Sequence, residues 1–371
     1  MAIYAFAEFE KGRVARIYAR AVYPSQQRGN VFFDCEEVPN LKHADELPRV
    51  VRKFFAVAAF RASHILLARD VLGGRPLYYG SDLSVSSFKG YIDGECFEVK
   101  PGEVLKVDYS GEVLEKKRFE FEDVFKPQRF ELEEALEKIE EALLNVKPKH
   151  ACIAFSGGLD SSLLAAIYDL PLIAVTAKKS DEEEIRRTAR EIGKDVDVWL
   201  VSREDIEWAV GKVRSAIESD DKLQVSIGVP VYLAMHHAKN LGFTSIVFGQ
   251  GADELFGGYK RYECMSGEEL ERALMEDLKS IGEKNLVRDA KIAYANEIRL
   301  VTPYLSWDVI EVAAGLDASY KVRKVDGKVV RKYALRKLAE DYLPVEIAWK
   351  PKKAIQYSTG IEKVVKKVLG G

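Results

Sequence analysis

The chain has 371 residues, enough for two domains, and its 47% of hydrophobic residues can fill a core in each. A formal net charge of −3 and a pI near 6.1 give no global pull toward nucleic acid or an anionic membrane, so any basic site must be local. No apolar stretch reaches the length of a membrane span, because runs such as FFAVAAF are soon broken by Arg61 and His64.

The opening MAIYAFAEFEKGRVARIYAR alternates apolar and polar residues and lacks the basic start, apolar block and cleavage site of an export signal. A cytoplasmic protein is expected. Cys35, Cys96, Cys152 and Cys264 are far apart with no C-x-x-C pair, which argues against a zinc ribbon or local redox pair and leaves buried thiols as the expectation. Charged residues make up 31%, above the roughly 25% of average domains, and point toward a thermophilic source.

Up to about Glu120 the chain reads as short strands joined by turns. The pivots are Lys11-Gly12, Arg61 to Ser63, Gly80 to Asp82 and Ser110-Gly111. LPRVVRKFF supplies one helix between strands, with Pro48 tolerated in its first turn. From Glu131 the period changes. Leu132, Leu136, Ile139 and Leu143 recur at three and four residues, the spacing of an amphipathic helix, which places a domain boundary near Phe125 to Phe130. Strand-like and helix-like segments then alternate through ACIAF, LLAAIYD, LIAVTA, EEEIRRTAREIG, VDVWLV, EDIEWAVGKVRSAIE, VYLAMHHAKNLG and SIVFG. This predicts βαβ units, a parallel sheet covered by helices and ligand loops beyond the strands' carboxyl ends. The tail from Val301 to Gly371 reads as mainly helical with no clear strand.

FSGGLDSS, residues 155–162, stands where a strand hands over to a helix. Glycines let the backbone approach a ligand and the free N–H groups of a helix N-terminus face an anion, so the segment reads as a phosphate site. It is not the G-x-x-x-x-G-K-S/T loop, because no lysine lies among residues 156–162. GQGADELFGGY follows another short apolar strand, so the two loops are expected to share one rim.

SGGLDSS resembles the pyrophosphate-binding loop of the ATP pyrophosphatases, and FGQGADELFGGY is similar to the second signature of asparagine synthetases and the related β-lactam synthetases. LLARDVLGGRPLYYG and VKPGEVLKV resemble glutaminase-domain segments of that family, while PYLS and LPVEIAWKPKKA resemble its C-terminal region. The resemblance implies an α/β protein. Residues 131–371 would form a parallel-sheet, Rossmann-like PP-loop domain of the adenine nucleotide alpha hydrolase type, and residues 1–125 a truncated, antiparallel β-rich, Ntn glutaminase-like domain.

It further implies an ATP-dependent, AMP-forming amide ligase. A carboxylate, aspartate first among candidates, is activated as an acyl-adenylate, pyrophosphate leaves, and ammonia or an amine attacks. Ser156, Gly157, Gly158, Ser161 and Ser162 would hold the pyrophosphate, and Asp160 and Asp253 match the family's magnesium positions. Gly249 and Gln250 are assigned to the nucleotide, as is Thr176, placed near the adenine by position alone. Lys352 aligns with the family's catalytic lysine, with Lys353 adjacent; Glu254 is a second catalytic candidate whose other reading is a helix cap. Residues 321–353 hold eleven Lys and Arg against four Asp and Glu; for Arg323, Lys324 and Lys337 a solvated face is the preferred reading. His236-His237 reads as surface and core rather than as a metal site, and Cys152 as core.

Departures from the family pattern bear on the substrate. Glutamine-dependent members use an N-terminal cysteine whose own amine is the base, whereas residue 2 here is Ala2, and neither RGPD nor NGEIYN occurs. The expectation is no glutamine hydrolysis, with nitrogen from free ammonia, a separate ammonia-supplying partner or a substrate amine. The family's second motif begins Ser-Gly-Glu-Gly; here Phe248-Gly249-Gln250-Gly251 replaces the charge with an amide. Glu297 and Arg299 lie six and four residues before Pro303, two further than in the family. The alternatives are a β-lactam-synthetase-like or tRNA-modifying ligase, the latter disfavoured by the charge, and an ATP-binding pseudo-synthetase without catalysis. A homodimer through an open face of the first module is a further expectation.

Overall fold

The computed structural model describes residues 3–10, 13–19, 26–35, 40–350 and 360–370. The chain divides into two compact units. One gathers Met1–Lys126, Ala216–Glu218 and Lys279–Arg299; the other holds Pro127–Ser215, Ser219–Leu278 and Leu300–Gly371. Among the described residues no helix is long and apolar enough to cross a membrane.

The first unit contains two antiparallel sheets. One runs in the order Arg13–Ala19, Tyr4–Glu10, Val85–Ser86, Tyr78–Gly80, Cys96–Glu98. The other runs Val113–Arg118, Glu103–Asp108, His64–Arg69, Ala56–Phe60, Val31–Asp34, Gln26–Arg28. Successive side chains of a strand face opposite ways, so Ala56, Ala58 and Phe60 join Ile65, Leu67, Leu105 and Val107 in one buried cluster with Ile3 and with Ala5 and Val85 of the other sheet. The RDVLGGRP stretch is a polar knot in this unit. The fully buried Arg69 donates to the carbonyls of Val99 (2.9 Å) and Gly73 (2.7 Å), and Asp70 accepts from the amides of Phe55, Leu72 and Gly74. These bonds satisfy Arg69 Nη1 and Nη2 and the Asp70 carboxylate, which accounts for those two residue types without invoking catalysis, while Nε of Arg69 and of Arg75 has no hydrogen-bond partner among the described residues.

Three expectations are corrected. The helix in LPRVVRKFF is limited to Leu47–Val50, with Pro48 in its first turn, because Val51 turns extended and the chain heads for the buried strand Ala56–Phe60. The tail is not strand-free: Val322–Val325 and Lys328–Arg331 form an antiparallel hairpin. Its turn is Asp326-Gly327, both with positive φ (48° and 79°), the conformation that matches the twist of two-residue hairpins and that Asp-Gly favours. Only Cys35 and Cys152 are buried thiols; Cys96 lies on an edge strand and Cys264 ends a surface 3-10 turn, and both are exposed.

The second unit is built on a five-stranded sheet in the order Val196–Leu200, Leu172–Thr176, Ala151–Ala154, Ser245–Val247, Arg299–Val301, with parallel pairing between the first four. By chain position this is 3-2-1-4-5. Strand order reverses between the first and fourth strands, the place where open α/β sheets bind ligands. Helix Leu132–Asn145 precedes the sheet and buries Leu132, Ala135, Ile139, Ala142 and Leu143; of the periodic residues Leu132, Leu136, Ile139 and Leu143, Leu136 alone is only half-buried.

Candidate active site

The strands on either side of the reversal, Ala151–Ala154 and Ser245–Val247, deliver the two glycine-rich loops to the same edge of the sheet. After the first, Gly157 has φ +68°, a conformation glycine adopts without penalty, and Gly158 starts helix Leu159–Ile167 from an extended conformation. The Ser156 amide donates to Ser161 Oγ (3.1 Å), and Ser161 Oγ in turn donates to the Gly158 carbonyl (3.3 Å), so these two serines knit the loop. Ser162 differs: its hydroxyl is buried with no partner among the described residues. Because the Ser162 amide is the first to close a helical bond, onto the Gly158 carbonyl (3.0 Å), the amides of Leu159, Asp160 and Ser161 lack helical acceptors. An anion at this end meets those donors and the positive end of the helix.

From the second loop, Gly249 approaches so closely that a Cβ there would lie 3.0 Å from Asp160 Cβ. Gly251, at φ +90°, starts the short helix Ala252–Phe256, whose first turn carries Asp253. Asp160 and Asp253, from different loops, meet at one lysine. Lys332 Nζ lies 2.6 Å from both oxygens of Asp160 and 2.5 Å from Asp253 Oδ1. Lys332 is buried, in a left-handed conformation (φ +57°) at the junction of the hairpin and helix Tyr333–Ala339. Burial alone would lower its pKa, but the two carboxylates outweigh that and hold it above the ordinary lysine value. The fit leaves no spare room: a Cβ on Gly258 would fall 1.9 Å from Asp253 Oδ1 and 2.4 Å from Lys332 Cε. Buried Tyr304 closes the underside, its hydroxyl donating to the Asp160 carbonyl (3.0 Å).

The other expected residues are placed differently. Thr176 ends the neighbouring strand with its hydroxyl accepting from the Lys178 amide (3.2 Å). Glu254 is buried and accepts from the Tyr259 hydroxyl (2.5 Å); burial pushes its carboxyl pKa up. It lines a cavity that contains none of the residues of the first loop. Gln250 is half-buried beside Gly249. Lys352 and Lys353 lie outside the described residues, although the chain just before them is pinned by Arg336, whose Nη1 donates to the carbonyls of Ala348 (2.7 Å) and Lys350 (3.1 Å). His237 pairs with Asp197 (2.6 Å), and the described residues contain no cluster of three or more metal-ligating side chains. Lys332 is the site residue that sequence reasoning missed; its one signal is its place inside the basic stretch 321–353.

A family model for asparagine synthase matches residues 131–268 and 264–369, which include both loops and Lys332. The chain belongs to the asparagine synthase family. It is 30% identical over 383 residues to the protein named "Putative asparagine synthetase (glutamine-hydrolyzing) 1" of Methanocaldococcus jannaschii, covering 85% of this chain and 70% of that one. It is 28% identical to "Asparagine synthetase (glutamine-hydrolyzing) 2" of Lotus japonicus, covering 88% of this chain and 61% of the relative. The chain thus spans only part of the length of these family members. A solved structure described as a predicted subunit of tRNA methyltransferase from Methanocaldococcus jannaschii matches with 17% identity and a TM-score of 0.23 over 54% of this chain and 92% of that one, too low to guide the fold.

Proposed function

We propose that this member of the asparagine synthase family is an ATP-dependent, AMP-forming ligase that joins a carboxylate, aspartate first among candidates, to ammonia or a small amine. The observation that carries the reading is the convergence of Asp160 and Asp253 on Lys332 beside a helix end with open amides. In this reading the amides of Leu159, Asp160 and Ser161 and the unpartnered Ser162 hydroxyl hold the pyrophosphate portion of the nucleotide. Two carboxylates facing one point are a hard-oxygen pair that suits magnesium shared with phosphates, so Asp160 and Asp253 would hold the ion. Its chemistry there would be neutralisation of charge on the leaving pyrophosphate. Lys332, with three N–H donors, holds both aspartates in place before the nucleotide arrives and offers a cation to the phosphates afterwards. The substrate carboxylate attacks the α-phosphorus as the bond to pyrophosphate breaks. The amine then attacks the acyl carbon and AMP departs.

Ammonia or an amine is proposed as the donor because the sequence contains neither RGPD nor NGEIYN, the segments that bind glutamine in the family it resembles. Gln250, an amide where the family motif has glutamate, favours a carboxylate other than aspartate as the second reading.

The test is pyrophosphate release from ATP and magnesium with aspartate plus ammonium, aspartate plus glutamine, a panel of other carboxylic acids, and no acid. Release with aspartate and ammonium that is lost in Asp160→Ala supports the main reading, and release with another acid alone supports the second. ATP binding without release in any mixture would overturn both and leave a nucleotide-binding protein without ligase activity.

A further inference from the structure

The second unit contains a cavity of about 300 Å³, separate from the glycine-rich loop at Ser156–Ser162. Leu255, Leu274, Met275, Leu278 and Leu316 give it apolar walls, and its charged lining is Lys321, Arg129, Glu254 and Glu271. Three of those four charges have partners. Arg129 donates to both carboxylate oxygens of Glu271 (3.0 and 3.3 Å) and lies 3.6 Å from Asp317, while Glu254 accepts from Tyr259.

Lys321 is the exception. It is 5% exposed, yet its ammonium makes no hydrogen bond or ion pair with any described residue. Its backbone is fixed: the Lys321 amide donates to the Ala318 carbonyl (3.0 Å), the Lys321 carbonyl accepts from the Tyr333 amide (3.0 Å), and Gly257 approaches its Cβ. Lys321 lines the cavity, where a buried cation without a hydrogen bond carries a large desolvation cost. Burial pushes its pKa down to about 8, which still leaves it mostly protonated at neutral pH.

We propose that this cavity binds a small monocarboxylate with an apolar body, its carboxylate against Lys321 Nζ and its hydrocarbon portion among Leu255, Leu274 and Leu316. One ammonium matches one negative charge. A dianion such as phosphate would face Glu254 and Glu271 without a second free cation, since Arg129 is committed to Glu271 and Asp317. The volume sits at the small end of ligand pockets, which fits a compact acid.

The experiment is calorimetric titration of the full chain with sodium benzoate and sodium hexanoate, using benzamide and inorganic phosphate as comparisons. Saturable binding of at least one acid, with neither comparison binding, is expected. Lys321→Met, which removes an unpaired buried charge and so should fold, is expected to weaken that binding at least tenfold. Ala314→Leu keeps the lysine but narrows the cavity and is expected to do the same, so it decides the matter if the first variant does not fold. The proposal is overturned if neither acid binds saturably, if benzamide binds as well as benzoate, or if Lys321→Met binds the acid like the wild type.

Discussion

Lys332 Nζ bridges both carboxylate oxygens of Asp160 at 2.6 Å, across 172 positions of sequence. The same ammonium holds Asp253, so removing it leaves two carboxylates turned toward each other in a site only partly open to water. Lys332→Met is expected to cost about 3 kcal/mol of stability, near the lower end of what breaking a buried ion pair costs because both aspartates retain some solvent. Magnesium should recover part of that loss, and adding Asp160→Asn should recover part of it without the ion. Urea denaturation of the single and double variants, with and without magnesium, checks this. A Lys332→Met chain as stable as the wild type would mean that the lysine does not organise the site.

The first loop could be read from sequence because everything that shapes it is local: an apolar strand, two glycines and a helix start within a dozen residues. Lys332 could not, since its role comes from partners in two distant segments and its neighbours in sequence are equally basic. The tail hairpin was marked by Asp326-Gly327 between valine-containing strands, a signal that the surrounding helix-like pattern obscured. Nothing in the local pattern at Ala216–Glu218 or Lys279–Arg299 shows that these segments belong with the N-terminal residues; tertiary packing alone decides it.

Gly258 should be intolerant of any side chain. A Cβ there collides with Asp253 Oδ1 and Lys332 Cε, so Gly258→Ala must displace one partner of the clamp. The expected result is about 1–3 kcal/mol of destabilisation, typical of overpacking, together with loss of ATP binding. Gly327, at the hairpin tip with open space around its Cβ, is the comparison: Gly327→Asn keeps positive φ accessible and should leave ATP binding unchanged. Equal nucleotide affinity in Gly258→Ala and wild type would contradict the geometry.

Within the first unit, Glu218 receives the amides of Lys89 (3.1 Å) and Gly90 (2.6 Å) and pairs with the buried Lys291 at 2.6 Å. Burial lowers the pKa of Lys291 and Glu218 opposes that shift, so the lysine depends on this one carboxylate. Glu218→Gln should destabilise the protein by about 2 kcal/mol, the carboxylate being partly exposed. Lys291→Met in the same background should return much of it, because the orphaned charge is gone. Thermal melts of the four chains give the coupling, and additive effects would show that the pair does not interact.

The last expectation concerns pH and Lys321. Its pKa is about 8 in the folded chain against an ordinary 10.5, so between these values the unfolded chain binds more protons and stability rises with pH. Below pH 8 both states are protonated and the cost of the buried cation is fully present; above 10.5 both are neutral and the cost is gone. Glu271 and Asp317 draw the pKa up, Arg129 draws it down, and burial outweighs them all. Lys321→Met should therefore be more stable than the wild type at neutral pH by about 1–3 kcal/mol, and that advantage should shrink as pH rises from 8 toward 10.5. Other groups titrate in this range in both chains, so the quantity to measure is the difference between their urea-derived stabilities at each pH. A difference that stays constant across the window would show that the Lys321 ammonium is not desolvated in the folded protein.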